Sequence, residues 1–314
     1  MHAHSTIRLV LTFILLTVPG CTQEDSHRTT GWDNKEDISG AISVRDAELH
    51  YVIEGKGIPC IMIGHSLSQR RIISQELRNH FRFVFADLRH DAHSHSSMQV
   101  SEITLDTYLN DIAAILDTLK LVKTAVFAHS HHAILALEYA RRHPAQISHL
   151  IITGCAPMTA PGAGDDFWEV DASEERKMIF KQNWANLPRE KLNQMSPKER
   201  FVKTYVAMTP KLLYDPRGDL SYIVDAINND KDVFLRLQLS ILKDYDIVQG
   251  PAISTPAFLA LGRYDYVSPY TLWDDRRSLL PNLSYNLFEK SAHFPMFEEQ
   301  ELFDKKLVEW IGSH

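Results

Sequence analysis

The sequence has little cysteine and no dense block of basic residues. Only three cysteines occur among 314 residues, and their spacing matches no metal-binding cysteine motif. Cys60 and Cys155 lie in apolar, strand-like stretches, so we predict two buried thiols and no disulfide. The formal net charge is −7, and binding to nucleic acid requires clustered cations. We therefore expect no nucleic-acid partner.

Low-complexity tracts and internal repeats are also absent from the sequence. Hydrophobic residues make up 44% and charged residues 23% of the chain, which is typical of an ordinary globular protein and not of a disordered or fibrous one. A length of 314 residues suits one domain with a large insertion, or two small domains.

The apolar run at the N-terminus, residues 9–18, is too short to span a bilayer as a mature helix. It follows Arg8, and this pattern predicts a signal peptide over residues 1–20. The run ends in Val18-Pro19-Gly20-Cys21, which resembles a bacterial lipobox. The resemblance implies a lipidated N-terminus at Cys21, and the alternative is an ordinary cleaved signal with an incidental cysteine.

A lipidated Cys21 would place the protein at the membrane of a bacterial cell envelope after export. Residues 21–40 are rich in Asp, Glu, Thr and Gly, so we interpret them as a tether between the anchor and the folded body.

Short, continuously apolar runs alternate with helical patterns in the first half of the chain. The runs are typical of strands that are covered on both faces, and the intervening segments have apolar residues at helical spacing. This alternation indicates a parallel sheet with right-handed crossovers, which residues 42–54 precede as an antiparallel hairpin. The runs are residues 60–63, 83–86, 125–128 and 150–152.

Between residues 158 and 250 the pattern changes to helical segments without intervening apolar strands. We predict an inserted helical cap over 158–250, which divides the core into residues 41–157 and 251–314. The strand pattern resumes at 257–261 and 283–288. The cap is rich in aromatic side chains, which we expect mainly to pack together, with the lining of an apolar pocket as the alternative. They include Phe167, Trp168, Trp184, Tyr205 and Tyr214.

Ser130 lies between the apolar strand 125–128 and a helix that is predicted to begin at His131. A strand–turn–helix position exposes a hydroxyl and directs the N-terminus of the helix toward it. One interpretation is a nucleophilic Ser130 with the backbone N–H of His131 as an oxyanion donor. The other is a simple helix N-cap. His132 stands where the pattern G-x-S-x-G has its second glycine.

A serine nucleophile needs a base within reach, and the base needs a carboxylate that orients it. Asp265 follows the predicted strand 257–261, and His293 follows the strand 283–288. The order Ser, Asp, His, each after a predicted strand, predicts a catalytic triad of Ser130, Asp265 and His293. Asp274 and Asp275 are the local alternatives for the acid.

From about residue 41 to its end the chain resembles the α/β hydrolases, in particular proline iminopeptidase-like enzymes and small-molecule esterases. The resemblance implies an α/β-hydrolase fold with a mostly parallel eight-stranded sheet, helices on both faces and an inserted helical cap. It also implies a serine hydrolase that cleaves an ester or amide bond of a small molecule through an acyl-enzyme intermediate, without a cofactor. The segments that carry it are Gly64-His65, Asp87-Leu88-Arg89, Ala128-His129-Ser130, Leu137-Glu138-Tyr139-Ala140, Gly262-Arg263-Tyr264-Asp265 and Ser291-Ala292-His293.

The oxyanion loop departs from the family pattern. The family opens this loop with a His-Gly pair, whereas this chain has Gly64-His65-Ser66. We assign the second oxyanion N–H to Ser66 or to an adjacent residue. Proline-releasing peptidases typically carry Gly-x-Ser-Trp-Gly at the nucleophile, and the absence of that tryptophan argues against exopeptidase activity.

Three alternative functions stay open at this point. One is an aminopeptidase or amidase, in which the cap acids Glu169, Asp171 or Glu174 bind a substrate amine. A second is a non-catalytic lipoprotein that keeps the fold as a binding surface.

The third alternative is a metal-dependent enzyme that uses a histidine cluster after the fourth strand. Imidazole and carboxylate are suitable zinc ligands. Because the order of these residues matches no known hydrolytic metal motif, we predict no metal site. The cluster consists of His90, Asp91, His93 and His95.

Overall fold

One mixed sheet of eight strands lies at the centre of the structure. The computed structural model describes residues 38–91, 99–159, 163–227 and 231–314. Four strands inside the sheet, at residues 58–64, 81–87, 124–129 and 257–262, are mainly apolar and buried along most of their length, as expected of strands that are covered on both faces. The strands are β1 (Ile38–Val44), β2 (Ala47–Gly55), β3 (Ile58–Gly64), β4 (Phe81–Asp87), β5 (Thr124–His129), β6 (Ile147–Thr153), β7 (Ala257–Gly262) and β8 (Leu283–Phe288).

The strand order in the sheet is β1-β2-β4-β3-β5-β6-β7-β8. The pairs β1–β2 and β2–β4 are antiparallel, and all the other neighbours are parallel, which confirms the predicted hairpin and parallel sheet. Ile38 pairs with Ile53 in the hairpin. Residues 38–40 therefore belong to the sheet and not, as predicted, to the tether, because their backbone groups pair with β2.

The helices of the core begin with local signals that the sequence contains. Helix α3 has a capping box in which Thr104 and Thr107 exchange hydrogen bonds. Helix α4 begins at His132 and not at His131, because Ser130 and His131 form the turn that leaves β5. The core helices are α1 (Ser66–Ile72), α2 (Leu77–His80), α3 (Leu105–Thr118), α4 (His132–Arg142), α12 (Pro295–Glu298) and α13 (Gln300–Ile311).

The described part of the insertion between β6 and β7 consists of short helices joined by loops. Thr159 and Ile247 donate backbone hydrogen bonds to Tyr245 and Pro157, so the two ends of the insertion lie side by side. Its helices are α5 (Ala163–Asp171), α6 (Glu174–Ala185), α7 (Arg189–Gln194), α8 (Pro197–Ala207), α9 (Thr209–Leu212), α10 (Ser221–Val224) and α11 (Lys231–Arg236), followed by a π-helical turn (Leu237–Ile241) and a 3-10 turn (Ile247–Gln249).

The cap and the sheet share one hydrophobic core. Phe83 of β4 and Phe127 of β5 are fully buried, and the same apolar cluster includes Leu220 and Val224 of the cap. The cap therefore packs on the sheet through apolar side chains, and the described residues all lie in one compact unit.

The predicted signal peptide and Cys21 lie outside the described residues. Within the described ranges, no helix is long and apolar enough to cross a membrane. Cys60 and Cys155 are buried free thiols, as predicted.

Candidate active site

Ser130 occupies a sharp turn at the carboxyl end of β5. Its φ angle is +56°, a left-handed conformation that is uncommon for a residue with a side chain. Two backbone hydrogen bonds hold it there, one from Ser130 N–H to Thr153 at 2.9 Å and one from Ala133 N–H to Ser130 at 3.0 Å. The turn leaves Ser130 partly exposed at the edge where the parallel strands end.

The structure brings together the three residues of the predicted triad. His293 Nε2 lies 3.0 Å from Ser130 Oγ, and His293 Nδ1 lies 2.8 Å from Asp265 Oδ2. A carboxylate can only accept, so Nδ1 carries the proton and Nε2 presents its lone pair to the serine hydroxyl. Of the alternative acids, Asp274 pairs with Arg277 at the surface.

The carboxylate of Asp265 forms hydrogen bonds through both of its oxygens. Asp265 is fully buried. Its second oxygen, Oδ1, accepts hydrogen bonds from the backbone N–H groups of Val267 and Ser268, at 2.9 and 2.8 Å. The carboxylate therefore has a set orientation, with Oδ2 facing the imidazole.

A segment of the cap holds the loops that carry Asp265 and His293. Leu212 accepts a hydrogen bond from the backbone N–H of His293 at 3.0 Å, and Lys211 accepts one from Tyr266, next to Asp265, at 3.2 Å. Arg176 in turn anchors this segment, because its buried guanidinium donates to backbone carbonyls of the cap between residues 210 and 214. The cap thus contributes to the alignment of Asp265 and His293.

Glu298 also holds the loop that carries His293, and no sequence pattern indicated this role. Its carboxylate accepts hydrogen bonds from the backbone N–H groups of Ala292, beside the base, and of Tyr214 in the cap. Burial raises the pKa of Glu298 to about 7, although these donors act in the opposite direction.

The two predicted oxyanion donors have different surroundings. No described residue accepts a hydrogen bond from the backbone N–H of His131, at the start of α4. The N–H of Ser66, in contrast, donates to Asp87 Oδ1 at 2.8 Å. Because β3 and β4 are parallel neighbours with Gly64 opposite Asp87, this carboxylate lies beside the oxyanion loop. The N–H of Ser66 is thus engaged with Asp87, and the assignment of the second oxyanion donor to Ser66 or an adjacent residue stays a prediction.

Four side chains converge next to the serine turn, and sequence reasoning found only part of the group. His65, His90, Asp91 and His132 each offer one ligand atom, and these atoms all lie within 4.8 Å of one another. Burial lowers the pKa of His90 to about 4 and holds that of His132 well below its usual range. Both rings are accordingly neutral at pH 7.

The sequence grouped His90 and Asp91 with His93 and His95, which lie outside the described residues. The sheet topology explains why His65 and His132 join His90 and Asp91. Strand β3 lies between β4 and β5, so the loops that follow these three strands meet at one edge.

His132 fits at the serine turn because Gly64 has no side chain. A Cβ atom at Gly64 would lie 2.7 Å from Nδ1 of His132 and 2.5 Å from Nε2 of Gln69. The φ angle of Gly64 is also +132°, which residues with a side chain rarely adopt. The departure from G-x-S-x-G is thus accommodated by a glycine on the neighbouring loop.

The cap acids considered for amine binding have partners within the protein. Glu169 and Glu174 are exposed, and each pairs with Lys177 at 3.6 Å. Asp171 accepts a hydrogen bond from the hydroxyl of Tyr266 at 2.9 Å.

The cap aromatics pack against one another, as expected. Trp168 forms a buried cluster with Tyr266, onto which Phe167 and Phe180 pack. Trp184 contacts Phe180, Tyr205 contacts Phe201, and Tyr214 contacts Tyr264.

Comparison with known proteins agrees with this architecture. Residues 56–300 match the model of the alpha/beta hydrolase fold family. The chain is 32% identical over 271 residues to the AB hydrolase superfamily protein YclE of Bacillus subtilis, covering 85% of this chain and 96% of that protein. It is 25% identical over 221 residues to a proline iminopeptidase of Heyndrickxia coagulans, covering 67% and 74%.

Among solved structures, an alpha/beta fold family hydrolase from Bacillus anthracis superposes with a TM-score of 0.67 at 18% identity, covering 87% of this chain and 99% of that one. The fold, the family model and the relatives agree, and the chain belongs to the α/β-hydrolase family.

Proposed function

We propose that the protein is a serine hydrolase that cleaves an ester or amide bond of a small molecule through an acyl-enzyme intermediate. Ser130 is the nucleophile, His293 the general base and Asp265 the acid that orients the base. The observation that carries the proposal is the continuous chain of hydrogen bonds from Asp265 through His293 to Ser130, at 2.8 and 3.0 Å. Those separations are within the reach that general-base catalysis requires.

In the first step His293 Nε2 takes the proton of the Ser130 hydroxyl while Oγ attacks the substrate carbonyl carbon. The carbonyl oxygen becomes an oxyanion, and the free backbone N–H of His131 at the helix N-terminus is placed to stabilise it. The imidazolium then protonates the leaving oxygen or nitrogen, whose bond to carbon breaks. Water repeats the sequence and releases the acid from Ser130.

A second oxyanion donor requires a change in the loop after β3. Ser66 can supply its N–H only by giving up Asp87, whose pKa burial raises to about 6. The protonated carboxyl of Asp87 is a weaker acceptor than the carboxylate. The alternative is the N–H of a residue adjacent to Ser66.

The names of relatives guide the choice of substrates. One relative is a strigolactone esterase of Pisum sativum, at 23% identity, and two are proline iminopeptidases. We therefore infer that the substrate is a small ester or amide, with cleavage of an N-terminal residue as the alternative. Typical proline-releasing enzymes have a tryptophan immediately after the serine, and this chain has His131 at that position.

The test is active-site labelling followed by a substrate screen. Wild type should react with a fluorophosphonate probe and hydrolyse p-nitrophenyl esters, and Ser130→Ala should lose both while its melting temperature is retained. Ser43→Ala, which changes an exposed serine of β1, is the matched control. Labelling of Ser130→Ala at the wild-type rate would refute the nucleophile. Turnover of aminoacyl naphthylamides in preference to esters would favour the aminopeptidase, and inertness to every probe and substrate would favour the binding protein.

We also propose export and lipid anchoring at Cys21, with residues 21–40 as the start of the mature chain. The support is the sequence alone: a short apolar run ending in a lipobox-like segment. In a bacterial host that processes lipoproteins, the full chain should incorporate an alkyne-tagged fatty acid and sediment with membranes. Cys21→Ser should abolish incorporation and Cys155→Ala should not. Incorporation that persists in Cys21→Ser would overturn the assignment.

A further inference from the structure

The group formed by His65, His90, Asp91 and His132 has no task in the proposed acyl transfer. Its members come from three loops: His65 follows β3, His90 and Asp91 follow β4, and His132 begins α4 after the serine turn. Three of the four residues are at most 4% exposed, and His65 lies at the partly exposed side of the group. A concentration of three imidazoles and one carboxylate inside a protein requires a physical reason, because each is costly to bury without a partner.

The distances within the group match the spacing of metal ligands. His90 Nε2 lies 3.0 Å from His132 Nε2 and 3.4 Å from Asp91 Oδ2. Zinc bonds to imidazole nitrogen and carboxylate oxygen of about 2.0–2.1 Å, in tetrahedral geometry, separate the ligand atoms by about 3.3 Å. These two separations are within about 0.3 Å of that value, and the wider pairs of the group, at no more than 4.8 Å, have to close further for the four atoms to surround an ion.

The polar atoms of the group have few other partners. Among the described residues, the Asp91 carboxylate has no hydrogen-bond donor besides the imidazoles of this group, and it pairs with Nδ1 of His65. Two neutral imidazoles that meet through Nε2 satisfy each other only if one donates and the other accepts. A cation between them would satisfy all four ligand atoms at once.

Outer contacts keep the ligand atoms pointed inward. His90 Nδ1 lies 3.2 Å from the hydroxyl of the buried Tyr108, which leaves Nε2 for the centre of the group. Hydrogen bonds to the second ring nitrogen are typical of metal-binding histidines. His132 is held by its place on the serine turn and by the space that Gly64 leaves for its ring.

We propose that His65, His90, Asp91 and His132 bind one divalent transition-metal ion, with zinc the best match to three imidazoles and one carboxylate. All four positions are protein side chains, so the site is closed and the ion is structural. It joins the loop after β3, the loop after β4 and the start of α4. The ion therefore fixes the oxyanion loop against the serine turn, and the site does not depend on the chemistry of Ser130.

The test measures metal per chain in the full-length protein, after removal of metal with a chelator and reloading with zinc chloride or cobalt chloride alone. Wild type should retain about one ion per chain through gel filtration, and its cobalt form should show the strong visible absorption of four-coordinate Co²⁺. His90→Ala and Asp91→Asn should retain little metal. Tyr108→Phe should bind about 10- to 100-fold more weakly.

Two controls separate this set of ligands from other histidines. His143→Ala removes an exposed imidazole and should bind like wild type. The double variant His93→Ala/His95→Ala should also bind like wild type, and loss of binding there would overturn the assignment. So would a wild-type chain that retains no ion, or full retention in Asp91→Asn.

If His90→Ala does not fold, the near-isosteric Asp91→Asn and the rise in wild-type melting temperature on zinc addition still decide the question. Zinc should raise the melting temperature of wild type and not that of Asp91→Asn. Fluorophosphonate labelling of the same samples reports on Ser130 separately, so failure of the proposed hydrolysis is distinguishable from failure of the metal site.

Discussion

Replacing Asp265 by asparagine should abolish most of the hydrolytic activity without disturbing the fold. Oδ1 of Asp265 accepts two backbone hydrogen bonds, from Val267 and Ser268. In Asp265→Asn the amide oxygen stays on these donors, so the NH₂ group faces Nδ1 of His293. That nitrogen must then accept, the proton moves to Nε2, and Nε2 can no longer take the proton of Ser130.

The size of the effect follows from the cost of restoring the active tautomer. Turning the amide by 180° would leave the N–H groups of Val267 and Ser268 without an acceptor, at about 1–3 kcal/mol each. A total of about 4 kcal/mol corresponds to a loss of about 10³-fold, and the loss in a serine protease with the same change is about 10⁴-fold. We therefore expect kcat/KM to fall by at least about 10³-fold.

The assay is p-nitrophenyl ester hydrolysis together with the rate of fluorophosphonate labelling. Asp274→Asn is the matched control, because it makes the same chemical change at an exposed position and should keep wild-type rates. Circular dichroism should give both variants the secondary structure of wild type. An Asp265→Asn enzyme within about 10-fold of wild type, or an equal loss in Asp274→Asn, would refute the assignment of the acid.

Two further predictions concern buried charges. Glu298 has a folded pKa of about 7 against an ordinary value of 4.5, so the native state keeps a proton that the unfolded chain has lost and stability should fall as pH rises from 5 to 8. The contribution is about 3 kcal/mol, and urea unfolding should show the free energy of unfolding of wild type falling by that amount relative to Glu298→Gln between pH 5 and 8; a difference that does not change with pH would contradict it. Arg89 is buried between Asp46 and Asp111, at 3.1 and 2.6 Å. Arg89→Ala should therefore lower the free energy of unfolding by about 3–5 kcal/mol, and a loss below 1 kcal/mol would show that this trio is solvated.

The strands and the meeting of Ser130, Asp265 and His293 could be predicted because their signals are local. Each apolar run became a strand, with ends that differ by no more than three residues, as at β6, which begins at Ile147 where the run begins at residue 150. The order Ser130, Asp265, His293 was informative because each residue follows a strand, and parallel strands end at one edge. The hydrogen bonds of Ser130, His293 and Asp265 have the geometry that this order requires.

The contacts between loops of non-consecutive strands could not be predicted. Which loops meet depends on the order β4-β3-β5, and this order leaves no trace in the local pattern of any one strand. Sequence proximity suggested His93, which lies outside the described residues, as a partner of His90 and gave no sign of the contact with His132. Ser66 is a similar case, since its partner Asp87 comes from the neighbouring strand.

The role of Glu298 was missed for another reason. Its partner Tyr214 belongs to the cap, and its partner Ala292 belongs to the loop that carries His293. Their meeting depends on how the insertion folds back over the sheet.

The imidazole ring of His132 fills the space that a side chain at position 64 would need. Any side chain at position 64 would collide with that ring, and a glycine at position 132 would leave a void where the ring now lies. The φ angle of +132° and the nearby Gln69 keep position 64 a glycine even when the ring at 132 is removed, so relatives with a smaller residue at 132 should retain Gly64. An engineer who restores a glycine at 132 should therefore leave residue 64 unchanged.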